Sequence, residues 1–205
     1  MAPNQGQPQV WPPPPLRRRG RSGLAKCAAL ISLSLIVLVG LAVLIIWLVI
    51  HPRRLVFTID DAYIDHYNMT KDHLDATFDL SLRAYNPNHR VTVFYDDIQV
   101  TVEYEDQDLA SSIAEPFFQR HKNETELHVM PQARDVALNR RVSKNLRTER
   151  SSGAVQLKVR VRAKVRFKVG IWKSWHRTLR VHCHPVLALF TRARSFGTKD
   201  CRVEL

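Results

Sequence analysis

Residues 155–169 read Val-Gln-Leu-Lys-Val-Arg-Val-Arg-Ala-Lys-Val-Arg-Phe-Lys-Val, with apolar and polar residues in strict alternation. Successive side chains of a β-strand point to opposite faces, so this pattern predicts a strand with one buried and one solvated face. Such strands are typical of an antiparallel sheet. The solvated face is basic, and we call it the basic ladder; it consists of Lys158, Arg160, Arg162, Lys164, Arg166 and Lys168.

The same two-residue period recurs through the rest of the chain after residue 50. It predicts further strands at residues 56–64, 74–84, 91–104, 123–129, 176–183 and 199–205. The run 91–104 is predicted as a hairpin that turns at Asp96-Asp97. Between residues 134 and 150 the pattern suits a short amphipathic helix or a structured loop. About seven strands predict a mainly β fold, an antiparallel β-sandwich of immunoglobulin or fibronectin III type with one short helix.

A single long apolar segment, residues 27–50, precedes the strands. Its 24 residues carry no charge, and as a helix they would cover about 36 Å, enough to cross a bilayer. A cleaved signal peptide is the alternative, but its apolar region is usually shorter, and no small-residue cleavage site follows this segment. The sequence therefore predicts a disordered Pro/Arg-rich tail at residues 1–26, a transmembrane helix at 27–50 and an extracytoplasmic domain at 51–205.

The charges that flank the apolar segment predict its orientation. Five basic residues lie between positions 17 and 26, and only Arg53 and Arg54 follow the segment closely. Because Lys and Arg accumulate on the cytoplasmic side of membrane spans, the N-terminus is predicted in the cytosol. Residues 51–205 are then predicted outside the cell or in a lumen.

Four consecutive prolines, Pro12–Pro15, lie in the predicted tail. They favour an extended polyproline II conformation and exclude a helix. Two interpretations stay open: a ligand for an SH3- or WW-like groove, or a plain spacer before the basic topology signal.

Glycosylation sequons and cysteines agree with an extracytoplasmic domain. Asn68 and Asn123 each begin an Asn-X-Thr sequon, and both follow the apolar segment. Cys183 and Cys201 are the two cysteines outside that segment. An oxidising compartment would let them pair, so we predict a disulfide between them.

The net charge of +12 is concentrated near the C-terminus, where residues 151–205 carry thirteen Lys or Arg and two acids. The basic ladder is either an ordinary solvated face or a candidate docking surface for polyanions. Nucleic acid is disfavoured because it is on the other side of the membrane. Acidic polysaccharide and anionic lipid remain as candidate partners.

The sequence contains no Gly-rich phosphate loop, nucleophile elbow, zincin helix or Cys-X-X-Cys pair. His182-Cys183-His184 is the one metal-like cluster, but a strand would point the two His to one face and Cys183 to the other. We therefore expect a non-enzymatic protein without a cofactor or a metal site.

Several short motifs, in order, resemble one plant family. They are Asn86-Pro87-Asn88, Val93-Phe94-Tyr95-Asp96, Pro116-Phe117-Phe118-Gln119, Lys122-Asn123-Glu124-Thr125, Val165–Gly170 and Cys201–Leu205. The family comprises the harpin-induced and non-race-specific-disease-resistance-like proteins of late-embryogenesis-abundant group 2, also called a hydroxyproline-rich glycoprotein family. The resemblance implies a single-pass plasma-membrane protein with an extracellular β-sandwich, associated with pathogen defence, the hypersensitive response and abiotic stress.

Two functions follow as hypotheses. The first is a non-enzymatic surface adaptor in plant defence that joins a wall polymer or partner protein to the plasma membrane. The alternative is a lipid- or membrane-binding stress-protection protein, and a lipid carrier would need an apolar cavity between the sheets. We interpret Asn86-Pro87-Asn88 as a strand-ending corner, and Phe117 and Phe118 as core residues, rather than as a binding epitope.

Overall fold

The computed structural model describes residues 21–50, 53–192 and 197–205. Most of the predicted tail, including Pro12–Pro15, lies outside the described residues. The chain divides into two compact units, Met1–His51 and Pro52–Leu205.

The described part of the first unit is one helix, α1, which spans Arg21–Ile50 and begins six residues before the predicted start. Within it, Ala25–Leu44 has a mean hydropathy of 2.8, and no described part of the chain buries this window. Twenty helical residues cover about 30 Å, the thickness of a bilayer's hydrocarbon core. By length and composition, α1 is therefore able to cross a membrane.

The described part of the second unit contains twelve strands and one further helix. Their bounds are β1 Val56–Thr70, β2 His73–Tyr85, β3 Val91–Tyr104, β4 Gln107–Ala114, β5 Phe117–Gln119, β6 Glu124–Val129, β7 Gln132–Ala137, α2 Arg140–Ser152, β8 Ala154–Val169, β9 Trp172–Lys173, β10 Arg177–Leu189, β11 Lys199–Asp200 and β12 Arg202–Glu204. Each predicted strand range overlaps one or more of these strands. The segment predicted as a helix or loop at 134–150 is divided between the end of β7 and α2.

The hairpin predicted at Asp96-Asp97 is wrong, because β3 runs through both residues as a single strand. A β-bulge lies between Asp96 and Gln99 in the pairing of β3 with β8, and Asp97 has a φ of 51°. A bulge inserts one extra residue and bends the strand without ending it. Two adjacent acids interrupt the alternation in the same way in a bulge and in a turn, so the sequence pattern did not distinguish the two.

The strand pairing closes into a ring in the order β1, β10, β8, β3, β4, β7, β2 and back to β1. Most neighbouring strands pair along many residues. At two places, which we call the seams, the neighbouring strands share only one pair of residues. Tyr63 of β1 pairs with Leu189 of β10 in parallel, and Ser111 of β4 pairs with Gln132 of β7. The remaining short strands lie at the edges of the longer ones.

The predicted sandwich of two separate sheets is therefore replaced by a closed β-barrel. Strands β1, β2, β8 and β10 are long, with 13 to 16 residues each, and β1 and β10, which flank one seam, contain bulges. Bulged strands bend, which brings their ends to the opposite half of the sheet. The strands of a sandwich and of a barrel both have one buried face and therefore the same alternation of apolar and polar residues. The periodicity of the sequence thus did not distinguish the two architectures.

Alternate side chains of the strands fill the barrel interior. The largest fully buried ones include Tyr95, Phe78, Ile59, Leu74, Leu80 and Leu82. An enclosed void among the core side chains measures about 10 Å³, roughly the space that one water molecule needs. The described core is thus close-packed.

Helix α2 covers one end of the barrel. Its first turn is capped by Asn139, whose side chain accepts a hydrogen bond from the Val142 N–H at 2.8 Å. It ends at Gly153, where a φ of 87° favours glycine. Val142 and Leu146 are buried on its inner face, so α2 extends the core beyond the strands.

Candidate functional site

The basic ladder lies on the outer face of β8, as the alternation predicts. Its six side chains are exposed or half-buried, and the apolar residues between Val155 and Val165 are buried. Strand β8 lies between β3 and β10, so the ladder runs down the middle of one side of the barrel. This placement allows a docking surface, but the charges that surround the ladder decide how strongly it attracts an anion.

Acidic side chains near the β3–β4 turn neutralise the first part of the ladder. Glu103 is buried and forms salt bridges with both Lys158, at 3.3 Å, and Arg160. Asp106 and Asp108 reach the same two cations at 3.5 and 3.3 Å. The hydrogen bond to Glu103, more than any other contact, raises the pKa of Lys158.

Two acids at the bulge of β3 neutralise two further cations of the ladder. Lys164 Nζ lies 2.7 Å from Asp97 Oδ2, and Arg166 makes a two-pronged contact with the Asp96 carboxylate at 2.9 and 3.2 Å. The hydrogen bond and the charge of Lys164 lower the pKa of Asp97. The carboxylates of Asp96 and Asp97, both at the bulge, therefore point outward and contact the ladder.

These contacts leave the ladder with less free charge than its sequence implies. Four of its six cations have acidic partners. Among the described residues, no acid lies within salt-bridge distance of Arg162 or Lys168. A polyanion that binds here must compete with the chain's own carboxylates at the four paired positions.

The Asn86-Pro87-Asn88 motif is a buried hydrogen-bonded clamp. Asn86 Nδ2 donates to the Val91 and Arg120 carbonyls at 2.8 and 3.0 Å. Asn88 exchanges two hydrogen bonds with the Arg53 backbone, at 2.7 and 3.0 Å. The motif therefore ends β2 and fastens three neighbouring segments, which is the corner that its sequence indicates.

The two sequons and the two cysteines lie at separate places on the barrel. Asn68 is exposed near the end of β1, and Asn123 is exposed just before β6. Cys183 of β10 forms a disulfide with Cys201, with the Cα atoms 4.4 Å apart. The disulfide fastens the C-terminal strands to the barrel wall and makes the Cys183 sulfur unavailable as a metal ligand.

The prediction that both Phe117 and Phe118 belong to the core is half wrong. Phe117 stacks on Tyr95 with ring centroids 4.4 Å apart and packs against the core. Phe118 is 56% exposed and lies beside Phe94 on the outside. Adjacent residues of a strand face opposite sides, so only one of the two Phe side chains can point inward.

Sequence reasoning missed a cluster of exposed apolar side chains. Ile171, Trp172 and Trp175 follow the end of β8 and are largely exposed. The signal in the sequence is the stretch Ile-Trp-Lys-Ser-Trp at residues 171–175, three large apolar residues between two strands, where polar turn residues are usual.

Comparisons with known proteins identify relatives. The sequence profile of a family described as late embryogenesis abundant protein matches residues 81–183. An uncharacterized protein of Arabidopsis thaliana is 35% identical over 88% of this chain and 81% of its own length. From the same organism, NDR1/HIN1-like protein 10 is 33% identical over 86% of this chain and 82% of its own, and NDR1/HIN1-like protein 3 is 32% identical over 85% and 78%.

Among solved structures, a crystal structure of a protein from Archaeoglobus fulgidus covers 58% of this chain and 93% of its own at 15% identity. Its TM-score of 0.28 is too low to indicate a shared fold.

Proposed function

The chain belongs to the late embryogenesis abundant family, among its NDR1/HIN1-like proteins, and from this premise we propose that it is a non-enzymatic surface adaptor in plant stress and defence. In this proposal α1 anchors the chain in the plasma membrane with the N-terminus in the cytosol, and the β-barrel lies outside. The observation that carries the proposal is a membrane-length apolar helix, uncovered by any described residue, in the same chain as a self-contained barrel.

Two features of the barrel and one of the N-terminal segment support the extracytoplasmic location. Both sequon asparagines, Asn68 and Asn123, are exposed. The Cys183–Cys201 disulfide is of the kind that persists in oxidising compartments. The excess of basic residues before the apolar segment favours a cytosolic N-terminus.

The packing of the barrel favours binding on the outside over carriage inside. A lipid carrier needs a cavity of several hundred cubic ångströms, whereas the enclosed void in the core measures about 10 Å³. The stress-protection alternative is therefore better supported as surface contact with lipid than as lipid transport.

The arrangement of ionisable groups supports a binding role without catalysis. Glu103, Asp96 and Asp97 are each held by a cation of the basic ladder, as expected for a structural surface. We propose a partner protein or a cell-wall polyanion as the ligand of the adaptor, and nucleic acid stays excluded by the proposed location.

A topology experiment on intact plant cells tests the anchoring. We expect externally added protease to degrade the barrel and to spare a tag at the N-terminus. Glycosidase treatment should shift the mobility of the full chain, and the shift should diminish in Asn68→Gln and in Asn123→Gln and vanish in the double variant. Protection of the barrel together with no glycan shift would overturn the proposed topology.

A genetic experiment tests the role in defence. Plants that lack the chain should show an altered response to a pathogen, and expression of the full chain should restore the response. An unaltered response in the absence of the chain contradicts the defence role and leaves the topology result standing.

A further inference from the structure

The hairpin between β8 and β10 carries a cluster of apolar side chains outside the barrel. Ile171 is 102% exposed, Trp175 90% and Trp172 60%. Soluble proteins rarely expose several large apolar side chains together, and such patches mark sites of contact with proteins or membranes. We call Ile171, Trp172 and Trp175 the apolar tip.

The apolar tip is held in place by the backbone. Val169 pairs with Trp172 across a two-residue turn, and Gly170 at the start of that turn has a φ of 57°, which favours glycine. The Ser174 N–H donates to the Phe167 carbonyl at 2.8 Å, and the Phe167 N–H donates to Ser174 Oγ at 2.9 Å. The fold thus presents the apolar side chains to the outside in a fixed geometry.

The end of the barrel that carries the apolar tip is rich in cations. The backbone contacts of Asn86, Asn88, Val91 and Val169 bring four segments to this end of the barrel. We call these segments the basic end: residues 53–57, 86–95, 116–123 and 167–176. Together they contain seven Lys or Arg and no Asp or Glu, the seven being Arg53, Arg54, Arg90, Arg120, Lys122, Lys168 and Lys173, while Asp96, Glu115 and Glu124 lie directly beyond their bounds.

The cations and aromatic rings share one surface. An open cleft of about 480 Å³ is lined by Arg90, Arg120, Lys168, Phe94 and Phe118. Lys173 Nζ lies 5.6 Å from the centre of the Phe94 ring. The cleft therefore offers several positive charges beside apolar surface.

These cations change the pKa of a neighbouring histidine. The charge of Lys122 lowers the pKa of His89, with burial and the charge of Arg53 acting in the same direction. A positive field at the basic end disfavours a further positive charge there and attracts an anion.

The chain reaches the barrel at this same end. Arg53 is fastened to Asn88 by two hydrogen bonds, and in the sequence it stands three positions after Ile50, the last residue of α1. The basic end therefore contains the first residues of the barrel unit that the structure describes.

We propose that the basic end docks on the phospholipid surface of the bilayer that holds α1, with the apolar tip inserted at the interface and the cations on lipid phosphates. Trp side chains are enriched at membrane interfaces, and basic residues are attracted to the phosphates of anionic lipids. The proposal rests on the membrane anchoring of the proposed function. A fully exposed aliphatic residue such as Ile171 gains from entry into lipid but has no hydrogen bond to offer a polysaccharide.

The test places a fluorescent probe at the tip of the full chain in nanodiscs of phosphatidylcholine and phosphatidylglycerol. Cys27 is the free cysteine, so Cys27→Ser allows a label at a single introduced cysteine. We compare Ile171→Cys with Ile113→Cys, because Ile113 is also strongly exposed, at 79%, but lies on β4 outside the basic end. Trp175→Cys provides a second position at the tip.

We expect the probes at 171 and 175 to shift to shorter emission wavelength and to be quenched by spin-labelled lipid several-fold more than the probe at 113. Lys168→Gln with Lys173→Gln should reduce the quenching at 171. Equal quenching at 171 and 113 would overturn the proposal, as would a shift at 171 that appears only after a protein or pectate is added. Co-elution of the chain with the discs reports anchoring separately, so failure of α1 to anchor is distinguishable from failure of the tip to dock.

Discussion

The two ends of the barrel differ in how their charged side chains are paired and in how far their apolar side chains are covered. At the helix-capped end, residues 65–75, 103–108 and 139–152, eight acids and six Lys or Arg are mixed. Asp72 binds Arg147 and Ser143 there, and Glu105 accepts from Asn145. The basic end has cations and exposed apolar side chains without an acid in its segments. One end is completed by α2 of the same chain, and the other presents the surface expected of a binding site.

Truncation of one apolar residue at each end should give the largest difference between the ends in the free energy of unfolding. Leu146 of α2 is 2% exposed, so Leu146→Ala should lower the free energy of unfolding by about 2–5 kcal/mol. Ile171→Ala removes a fully exposed side chain and should change it by less than about 0.5 kcal/mol. Urea unfolding of the full chain in detergent measures both. Similar losses in the two variants would contradict the distinction between the ends.

The asparagine clamp gives the next largest effect. Asn86→Ala removes the donor to the Val91 and Arg120 carbonyls and the acceptor of the Asn88 N–H and Nδ2, which should cost about 2–4 kcal/mol. Asn145→Ala at the helix-capped end breaks an exposed hydrogen bond to Glu105 and serves as the matched control, with a change below about 0.5 kcal/mol. A small effect of Asn86→Ala on the urea midpoint would show that the clamp does not hold the basic end together.

A buried tyrosine at each end predicts sensitivity to alkaline pH. Burial raises the pKa of Tyr95 and of Tyr104 above the usual value of 10.0, with the Glu149 carboxylate adding to the effect at Tyr104. Above about pH 10 the unfolded chain releases these protons while the folded chain retains them, so the free energy of unfolding falls as pH rises. Each Tyr→Phe variant should flatten this decline in a pH series of urea unfolding curves.

At neutral pH the two tyrosine variants should differ. Tyr95→Phe leaves the buried Gln119 Oε1 without its donor and should cost about 1–2 kcal/mol. Tyr104→Phe should cost less than about 1 kcal/mol, because the Glu149 carboxylate still accepts from the Gln156 N–H at 3.0 Å. A larger loss in Tyr104→Phe would reverse the order that the hydrogen bonds predict.

The smallest expected effect concerns the basic ladder between the ends. Replacement of Arg160, Arg162 and Lys164 by Gln should lower the salt concentration that elutes the full chain from a pectate or heparin matrix. Arg162→Gln alone should account for most of the shift, since Arg160 and Lys164 are already paired with acids. An unchanged elution salt would make the ladder an ordinary solvated face.

Local periodicity predicted the strands well and their assembly poorly. The alternation in residues 155–169 indicated which side chains of β8 face out, and that prediction is confirmed. The same pattern did not reveal that Glu103, some 55 positions away from Lys158, would neutralise the ladder. It also did not reveal the apolar tip, whose exposure depends on the neighbours that each side chain meets in space.

What the sequence alone determined is the local character of each segment: an uncharged helix of membrane length, strands with one wet face, and a family assignment carried by short motifs. Only the tertiary structure decided that the strands close into a barrel, that the Asp96-Asp97 pair is a bulge, and that seven cations meet at one end. The physical reason is the distance along the chain over which each interaction acts. Side-chain alternation and backbone propensity act between near neighbours, whereas pairing at the seams and the sum of charges depend on residues that are distant along the chain.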